Sequence, residues 1–161
     1  MRGEPPHGDS GFEEFFRASW PGAFRLACFL TQDRTAGEEI AQEAFAQMYT
    51  GWGRALVPEA YLRTTIVNRS ANWRRHAQVH RAKLPLLATP TAVTPAFDNP
   101  VLDQLADAVA GLPFRQRAVV VLRYHLGLSE SEIADALGCR PGTVKSLASR
   151  ALARLEKEIT R

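Results

Sequence analysis

At 161 residues, the chain is long enough for one ordinary domain or two small ones. Hydrophobic residues make up 45% of it and charged residues 23%, which is typical of globular proteins and excludes a chain that is disordered throughout. The formal net charge of +3 is too small to establish a nucleic-acid partner by itself, so the distribution of charge along the chain has to decide.

Neither a signal peptide nor a membrane span is evident in the sequence. The first eleven residues are rich in Gly, Pro and charge, and the longest aliphatic run, Ala118 to Leu122, is too short to cross a bilayer. Cys28 and Cys139 stand apart without metal-ligand spacing and are interpreted as small core residues. The sequence leaves a disulfide between them open, but a reducing compartment is favoured, and we expect a cytoplasmic protein without membrane contact.

The N-terminal part predicts a disordered leader over residues 1–11, followed by a helix. Pro21 and Gly22 are expected to interrupt or kink that helix. Its apolar residues recur at helical spacing: Phe12, Phe15, Phe16, Phe24, Leu26, Ala27 and Leu30.

Two further helices are predicted before residue 84. Thr35 and Glu38 form a capping-box pattern at the start of the first, which ends at Gly51 and Gly53. Its apolar stripe consists of Ile40, Ala44, Phe45, Met48, Tyr49 and Trp52. Pro58 suits the first turn of the second, which continues to about His80. Its inward residues are predicted to be Tyr61, Leu62, Ile66 and Val67.

The composition changes after this helix: prolines recur every five residues from Pro85 to Pro100, and the apolar residues between them show no helical or strand periodicity. We interpret residues 84–101 as an extended, semi-stiff linker. Helical periodicity resumes at Val101 and continues, with a break at residues 111–113, to Tyr124; the β-branched run at 119–121 is too short for a strand. The predicted fold is all-α, with two small helical domains, 12–83 and 102–161, joined by the Pro-rich linker.

Residues 129–146 are typical of a helix-turn-helix. Ser129 and Glu132 can form a capping box, Gly138 supplies the turn, and Pro141 suits the first position of a second helix. Val144 returns to the core, so the polar and basic residues of the second helix face outward and can enter a DNA major groove. An ordinary helical hairpin is the alternative. The outward residues are Arg140, Thr143, Lys145, Ser146, Ser149 and Arg150.

The helix between Ala60 and Lys83 contains no acidic residue but six basic ones. Tyr61, Trp73, Asn68 and Asn72 are interleaved with them. Arginines bind phosphate by paired N–H donors, aromatic rings stack on unpaired bases, and Asn reads base edges, so this mixture suits separated DNA strands. A solvated basic face with both aromatic rings in the core is the alternative.

Glu39, Gln42 and Glu43 lie at i, i+3 and i+4 and present two carboxylates and an amide on one helix face. A solvated face is the default interpretation, and a protein docking face is the more specific one. The sequence provides no tuning neighbour that would make the carboxylates a catalytic pair.

His76 and His80 also have i, i+4 spacing, but no Glu or Cys completes a metal-ligand set and the surrounding arginines would repel a cation. No phosphate-binding Gly-rich loop or nucleophile elbow is present. We therefore predict no metal, no cofactor and no enzymatic activity. An RNA-processing enzyme that holds its substrate on the basic helix is the alternative of another class.

The whole chain from Phe12 to Leu155 resembles the extracytoplasmic-function (ECF) sigma factors of the sigma-70 superfamily. Four motifs in this order, split by the linker, support the resemblance: E-E-I-A-Q-E-A-F at 38–45, P-E-A-Y-L-R-T-T-I-V-N-R at 58–69, L-P-F-R-Q-R-A-V-V-V-L-R-Y at 112–124, and the helix-turn-helix.

The resemblance implies a sigma factor that binds core RNA polymerase and directs promoter-specific initiation. The first domain would melt the minus-ten element, and the second would read the minus-thirty-five element. Glu39, Gln42 and Glu43 match the family's polymerase-binding face. The residues implied in strand capture are Asn68, Arg69, Asn72, Trp73, Arg74 and Arg75, with Arg63 in the same basic stretch.

Two positions depart from the family pattern. Arg140 replaces a frequent capping Ser, and Leu147 stands where an Arg is often found. The sequence also shows no middle sigma domain and no acidic inhibitory region, and an anti-sigma partner, common in the family, has no visible contact surface here. Within DNA binding, the alternative is a stand-alone helix-turn-helix regulator on a palindromic operator.

Overall fold

A computed structural model describes residues 9–83 and 100–160. Most of the predicted leader and nearly all of the predicted linker lie outside these residues. The elements are α1 (Asp9–Thr31), α2 (Arg34–Thr50), α3 (Pro58–Lys83), α4 (Pro100–Ala110), α5 (Phe114–Val120), a π-helical turn (Val121–His125), α6 (Glu130–Leu137) and α7 (Pro141–Ile159). No strand occurs in the described ranges, and the predicted all-α fold is confirmed.

The first three helices pack around an apolar core. It contains Leu26 and Leu30 from α1, Ile40 and Met48 from α2, and Ile66 from α3, each at most 5% exposed. The chain is helical on both sides of Pro21, so the expected interruption there does not occur. Pro21 is exposed, and the hydrogen bond that its missing N–H forgoes is lost at the solvent side of the helix.

The cap of α2 differs from the prediction. Asp33, in an extended conformation, is the N-cap, and its Oδ1 accepts a 2.9 Å hydrogen bond from the backbone N–H of Ala36. Thr35 lies inside the first turn, so the predicted capping box with Glu38 is wrong. Asp33 and Thr35 both suit an N-cap by residue type; the earlier one caps because the chain turns at Gln32, whose φ is +59°.

Two tyrosines that were expected to face inward are exposed: Tyr49 is 51% exposed and Tyr61 is 39% exposed. Each nevertheless contacts a neighbouring side chain, Tyr49 through its ring and Tyr61 through its hydroxyl. Tyr49 lies edge-on to Phe12, with ring centroids 4.9 Å apart. Tyr61 accepts a 2.9 Å hydrogen bond from the side-chain amide of Gln47.

Helices α1 and α2 pack tightly against each other at Cys28 and Gly37. A Cβ at residue 37 would lie 2.6 Å from the Cys28 sulfur and 2.9 Å from its backbone nitrogen, so only Gly fits there. The Cys28 thiol is buried, and burial raises its pKa to about 11. The buried position confirms the interpretation of Cys28 as a core residue.

The C-terminal helices build a second layer of core around five residues that are all 0% exposed: Val119, Leu122, Ile133, Val144 and Ala151. The two groups of helices also pack on each other, α6 against α3 and α5 against α1, and their buried residues form one continuous cluster. Arg117 bridges them: its Nη2 donates a 3.0 Å hydrogen bond to the carbonyl oxygen of Leu30.

Candidate nucleic-acid and polymerase interfaces

The helix-turn-helix is formed by α6 and α7. At its start, the Ser129 hydroxyl accepts from the N–H of Glu132 at 3.2 Å, and the Glu132 carboxylate accepts from the N–H of Ser129 at 2.8 Å. The second bond lowers the pKa of Glu132, because it stabilises the ionised carboxylate. Gly138 turns the chain in the left-handed region at φ +61°, and Pro141 begins α7. The capping box, the turn at Gly138 and the helix start at Pro141 are thus all confirmed.

The polar face of α7 is open to solvent. Val144 is fully buried and fixes the rotation of the helix about its axis. The predicted DNA-reading residues are all exposed: Arg140, Thr143, Lys145, Ser146, Ser149 and Arg150. Arg140 occupies the N-cap without a side-chain cap, so its guanidinium is not used for capping.

One neighbouring carboxylate restrains this face. Glu130 lies 3.8 Å from the Lys145 ammonium and 3.7 Å from the Arg123 guanidinium. Lys145 is 68% exposed, so the pair contributes little to stability and a phosphate can displace it. Ser146 donates a 3.2 Å hydrogen bond to the carbonyl of Gly142 in the turn before it.

On α3, the predicted strand-capture residues divide into an exposed row and a half-buried set. Asn68, Asn72 and Arg75 follow one another at i, i+4 and i+7 and are exposed, and Arg75 donates to the side-chain oxygen of Asn72. Trp73 is half-buried and packs on the core, so its ring is only partly available for stacking. The other half-buried residues are Arg63, Arg69 and Arg74.

Two of these arginines face the second group of helices. Arg63 lines a cavity between α1, α3 and the segment after the π-helical turn, which contributes Leu126 and Leu128. Arg74 lies close enough to Arg117 that its charge, after burial, helps to lower the pKa of Arg117 to about 10. In the packed arrangement the basic helix is therefore open to solvent along the Asn68 row and partly covered at Arg63 and Arg74.

The predicted polymerase face of α2 is exposed at Glu39, Gln42 and Glu43. Gln42 borders an apolar groove of about 400 Å³, which the sequence analysis missed. Its aromatic walls are Phe12, Phe16, Phe45 and Tyr49. The sequence signal was present in the aromatic spacing of α1, but that spacing was interpreted as core.

Glu43 is joined to the basic helix. Its Oε2 lies 2.5 Å from Nη1 of Arg69, and Oε1 of Gln47 accepts a 2.9 Å hydrogen bond from Nη2 of the same guanidinium. The structure thus connects one residue predicted for polymerase binding with one predicted for DNA binding. Gln47 was missed, although it lies at i+4 from Glu43 on the same face.

Within the described residues, no three His, Cys, Asp or Glu side chains come together as a metal site. No described helix combines the length and the apolar character that a membrane crossing needs.

Comparison with known proteins shows which family the chain belongs to. Residues 102–155 match the family model described as Sigma-70, region 4. The RNA polymerase sigma-E factor of Streptomyces coelicolor is 34% identical over 92% of this chain and 85% of its own length. The ECF RNA polymerase sigma factor SigL of Mycobacterium tuberculosis is 34% identical over 76% of this chain and 74% of its own length.

Solved structures agree on the fold. The sigma factor RpoE of Bartonella quintana, crystallised with the anti-sigma factor NepR, superposes with a TM-score of 0.80 at 22% identity, covering 94% of this chain and 98% of that one. CnrH, in complex with the cytosolic domain of CnrY, gives 0.66 at 19% identity, over 95% and 90%. These relatives favour neither a stand-alone regulator nor an RNA-processing enzyme. The chain belongs to the ECF group of sigma-70 factors, the RNA polymerase subunits that direct promoter-specific transcription initiation.

Proposed function

We propose that this sigma factor divides promoter recognition between two helices, with α3 holding the opened strand of the minus-ten element and α7 reading the closed minus-thirty-five element. The observation that supports this division best is the exposed row of Asn68, Asn72 and Arg75 on a helix whose only acidic residue is Glu59. On this row the two Asn amides can read base edges and the Arg75 guanidinium can bind phosphate, so the three side chains form one continuous surface.

The polymerase face is proposed to be the exposed side of α2 at Glu39, Gln42 and Glu43. Two carboxylates attract a basic partner surface, and the apolar groove beside Gln42 supplies buried area that charge alone would not provide. The factor supplies no catalytic chemistry of its own, and it acts in the cytoplasm with the polymerase. An anti-sigma protein is proposed as a further partner, since the RpoE structure was solved with the anti-sigma factor NepR.

Reading both elements requires the two groups of helices to separate. Elements centred near −10 and −35 lie about 25 base pairs apart, which is about 85 Å of duplex at ~3.4 Å per base pair. A compact chain of this length has a radius of gyration of about 15 Å. The packed arrangement, with α6 against α3, is therefore too compact to contact both elements at once. Polymerase contacts would hold the opened arrangement.

A paired mutational experiment tests the division of roles. Arg74→Ala with Arg75→Ala should block promoter opening, measured by permanganate reactivity of unpaired thymines, while association with core polymerase stays near normal. Gln42→Ala with Glu43→Ala should weaken polymerase association first. Arg17→Ala, an exposed basic residue on α1, is the matched control and should change neither.

The opposite pattern would contradict the proposal. Loss of polymerase association in the arginine variant would move the docking face from α2 to α3. Unchanged association in the Gln42 and Glu43 variant would remove the reason for placing polymerase on α2.

A further inference from the structure

The ion pair between Glu43 and Arg69 lies at the junction of the two proposed surfaces, and the inference drawn from it rests on the proposed function. Glu43 belongs to the proposed polymerase face of α2, and Arg69 to the proposed strand-capture helix α3. The two residues are far apart in sequence and meet only because α2 and α3 pack side by side.

Both terminal nitrogens of the Arg69 guanidinium are held by α2. Nη1 is 2.5 Å from Oε2 of Glu43, and Nη2 donates to Oε1 of Gln47 at 2.9 Å. Nε is buried and has no hydrogen-bond partner among the described residues. The guanidinium is therefore turned into the seam between the helices, with each end on an acceptor from α2.

Gln47 is itself oriented by α3. Its amide nitrogen donates a 2.9 Å hydrogen bond to the hydroxyl of Tyr61, which leaves its carbonyl oxygen directed at Arg69. The order of contacts is thus Glu43, Arg69, Gln47 and Tyr61, alternating between α2 and α3.

An arginine binds phosphate best with two parallel N–H donors, which are the groups engaged here. Arg69 cannot present that pair to DNA while Glu43 and Gln47 hold it. The restraint is weak enough to break, because the Glu43 side chain is 60% exposed and that of Arg69 35%, and exposed ion pairs contribute little net free energy.

We propose that Glu43 is a positioning residue that withholds Arg69 from DNA until polymerase engages α2. A basic group of polymerase that pairs with Glu43 competes with Arg69 for the same carboxylate, and the released guanidinium then adds one phosphate contact on α3. Linkage makes the effect reciprocal: DNA that pairs with Arg69 frees Glu43 and strengthens polymerase binding by the same factor.

The first test measures binding of the full chain to a fluorescein-labelled 12-nucleotide single strand of dT by fluorescence anisotropy. Glu43→Gln keeps the shape of the side chain but removes the charge that holds Arg69. The variant should bind the oligonucleotide about two- to fivefold more tightly than the unmodified chain, a gain limited by the strength of an exposed pair. One added phosphate contact should steepen the log–log salt dependence by about 0.7.

Two companion variants separate this effect from a general change in charge. Glu38→Gln removes the same charge from an exposed position of α2, while the ion pair of Arg69 is made with Glu43, so this variant should leave the salt slope unchanged. Arg69→Gln should weaken oligonucleotide binding, and adding Glu43→Gln to it should then give no further gain beyond that of Glu38→Gln. Circular dichroism melting of each variant confirms that the fold is kept.

The outcomes distinguish the coupling from the proposed function. Two outcomes would overturn the coupling but leave the strand-capture surface in place. In the first, Arg69→Gln weakens oligonucleotide binding but Glu43→Gln and Glu38→Gln have the same effect. In the second, the gain from Glu43→Gln persists in the absence of Arg69. If Arg69→Gln leaves binding unchanged, Arg69 is not part of that surface and both claims about it are wrong.

The second test uses core polymerase. With the unmodified chain, saturating dT oligonucleotide should tighten polymerase association by the same factor that Glu43→Gln gives for DNA. In the Arg69→Gln chain this tightening should vanish. Tightening of equal size in both chains would overturn the proposal, since the oligonucleotide would then act without Arg69.

Discussion

Arg117 and Leu30 are joined across the two groups of helices by a 3.0 Å hydrogen bond from Nη2 to the carbonyl oxygen. Leu30 lies in the last turn of α1, where carbonyls have no partner within the helix. Nη1 of the same guanidinium donates to Ala110 at 2.8 Å, at the end of α4, and to Leu112 at 3.1 Å. One buried cation thus caps the C-terminal ends of two helices, which the helix dipole also favours.

Replacing this cation should be costly. Arg117→Met keeps the apolar stem but leaves three carbonyls without this donor, two of them buried, so we expect the free energy of unfolding to fall by about 3 kcal/mol. Urea denaturation followed by circular dichroism measures it. Arg115→Met, at an exposed position of α5, should change stability by less than about 0.5 kcal/mol. Equal losses in both variants would show that the carbonyl contacts contribute nothing specific.

The capping box of the helix-turn-helix gives a second prediction. Ser129→Ala removes the hydroxyl that accepts from the N–H of Glu132, and we expect a loss of about 1 kcal/mol in urea denaturation. Glu132→Gln retains an acceptor for the N–H of Ser129 and should lose less than Ser129→Ala. Ser131→Ala, an exposed position within α6, is the control. A Ser129→Ala protein as stable as the control would contradict the role of the cap.

The contact between α1 and α2 gives a third prediction. Gly37→Ala would place a methyl group 2.6 Å from the Cys28 sulfur, and the resulting shift of α2 should destabilise the protein by about 1–3 kcal/mol. Adding Cys28→Ala should restore only part of the loss, because the methyl group also lies 2.9 Å from the backbone nitrogen of residue 28.

A glycine without close neighbours provides the control for that experiment. Gly22→Ala lies in α1 with nothing within 4 Å of the new methyl group, and it should stabilise the protein by about 0.4–1 kcal/mol. Thermal melting of the two single variants should therefore shift in opposite directions. A shift in the same direction would contradict the packing argument.

His125 should make stability depend on pH. Burial, with a smaller contribution from Arg25, lowers the pKa of His125, so the folded protein favours the neutral ring. The unfolded chain takes up the proton near the ordinary value of about 6.5, and it therefore binds more protons in mildly acidic solution. Well above pH 6.5 neither state binds the proton, so His125 has no effect on the free energy of unfolding there. As the pH drops from 7 to 5, proton binding by the unfolded chain lowers the free energy of unfolding.

The His125 prediction can be checked in two ways. The ring C–H resonance of His125 should titrate with a midpoint below 6.5 in NMR spectra of the folded protein. In His125→Gln, the loss of unfolding free energy between pH 7 and pH 5 should be smaller than in the unmodified chain. A midpoint above 6.5 would reverse the sign and contradict the prediction.

Local sequence determined the parts of the structure that were predicted well. Three features of the helix-turn-helix depend only on residues close together in sequence: the capping box at Ser129, the turn at Gly138 and the helix start at Pro141. They can therefore be predicted from adjacent residues alone. The cap of α2 failed at the same scale, because Asp33 and Thr35 are both suitable and only the turn at Gln32 selects one.

Long-range contacts explain what the sequence did not reveal at the candidate site. Arg69 was assigned to DNA from its place in the basic stretch and from the family resemblance, but its guanidinium is held by Glu43 and Gln47, which only helix packing brings to it. Arg117 was seen as part of a motif, yet its role depends on a carbonyl 87 positions away. Periodicity specifies which face of a helix is buried, and it does not specify the partner helix.

The close approach of Gly37 to Cys28 has a consequence for chemical labelling. The thiolate is the form that attacks maleimides and iodoacetamides, and a buried thiol with a pKa of about 11 is almost entirely protonated in neutral solution. Cys139, the other cysteine of the chain, is partly exposed in the turn that leads into α7. A thiol-reactive fluorophore or spin probe should therefore label the unmodified protein at Cys139, beside the helix proposed to read duplex DNA.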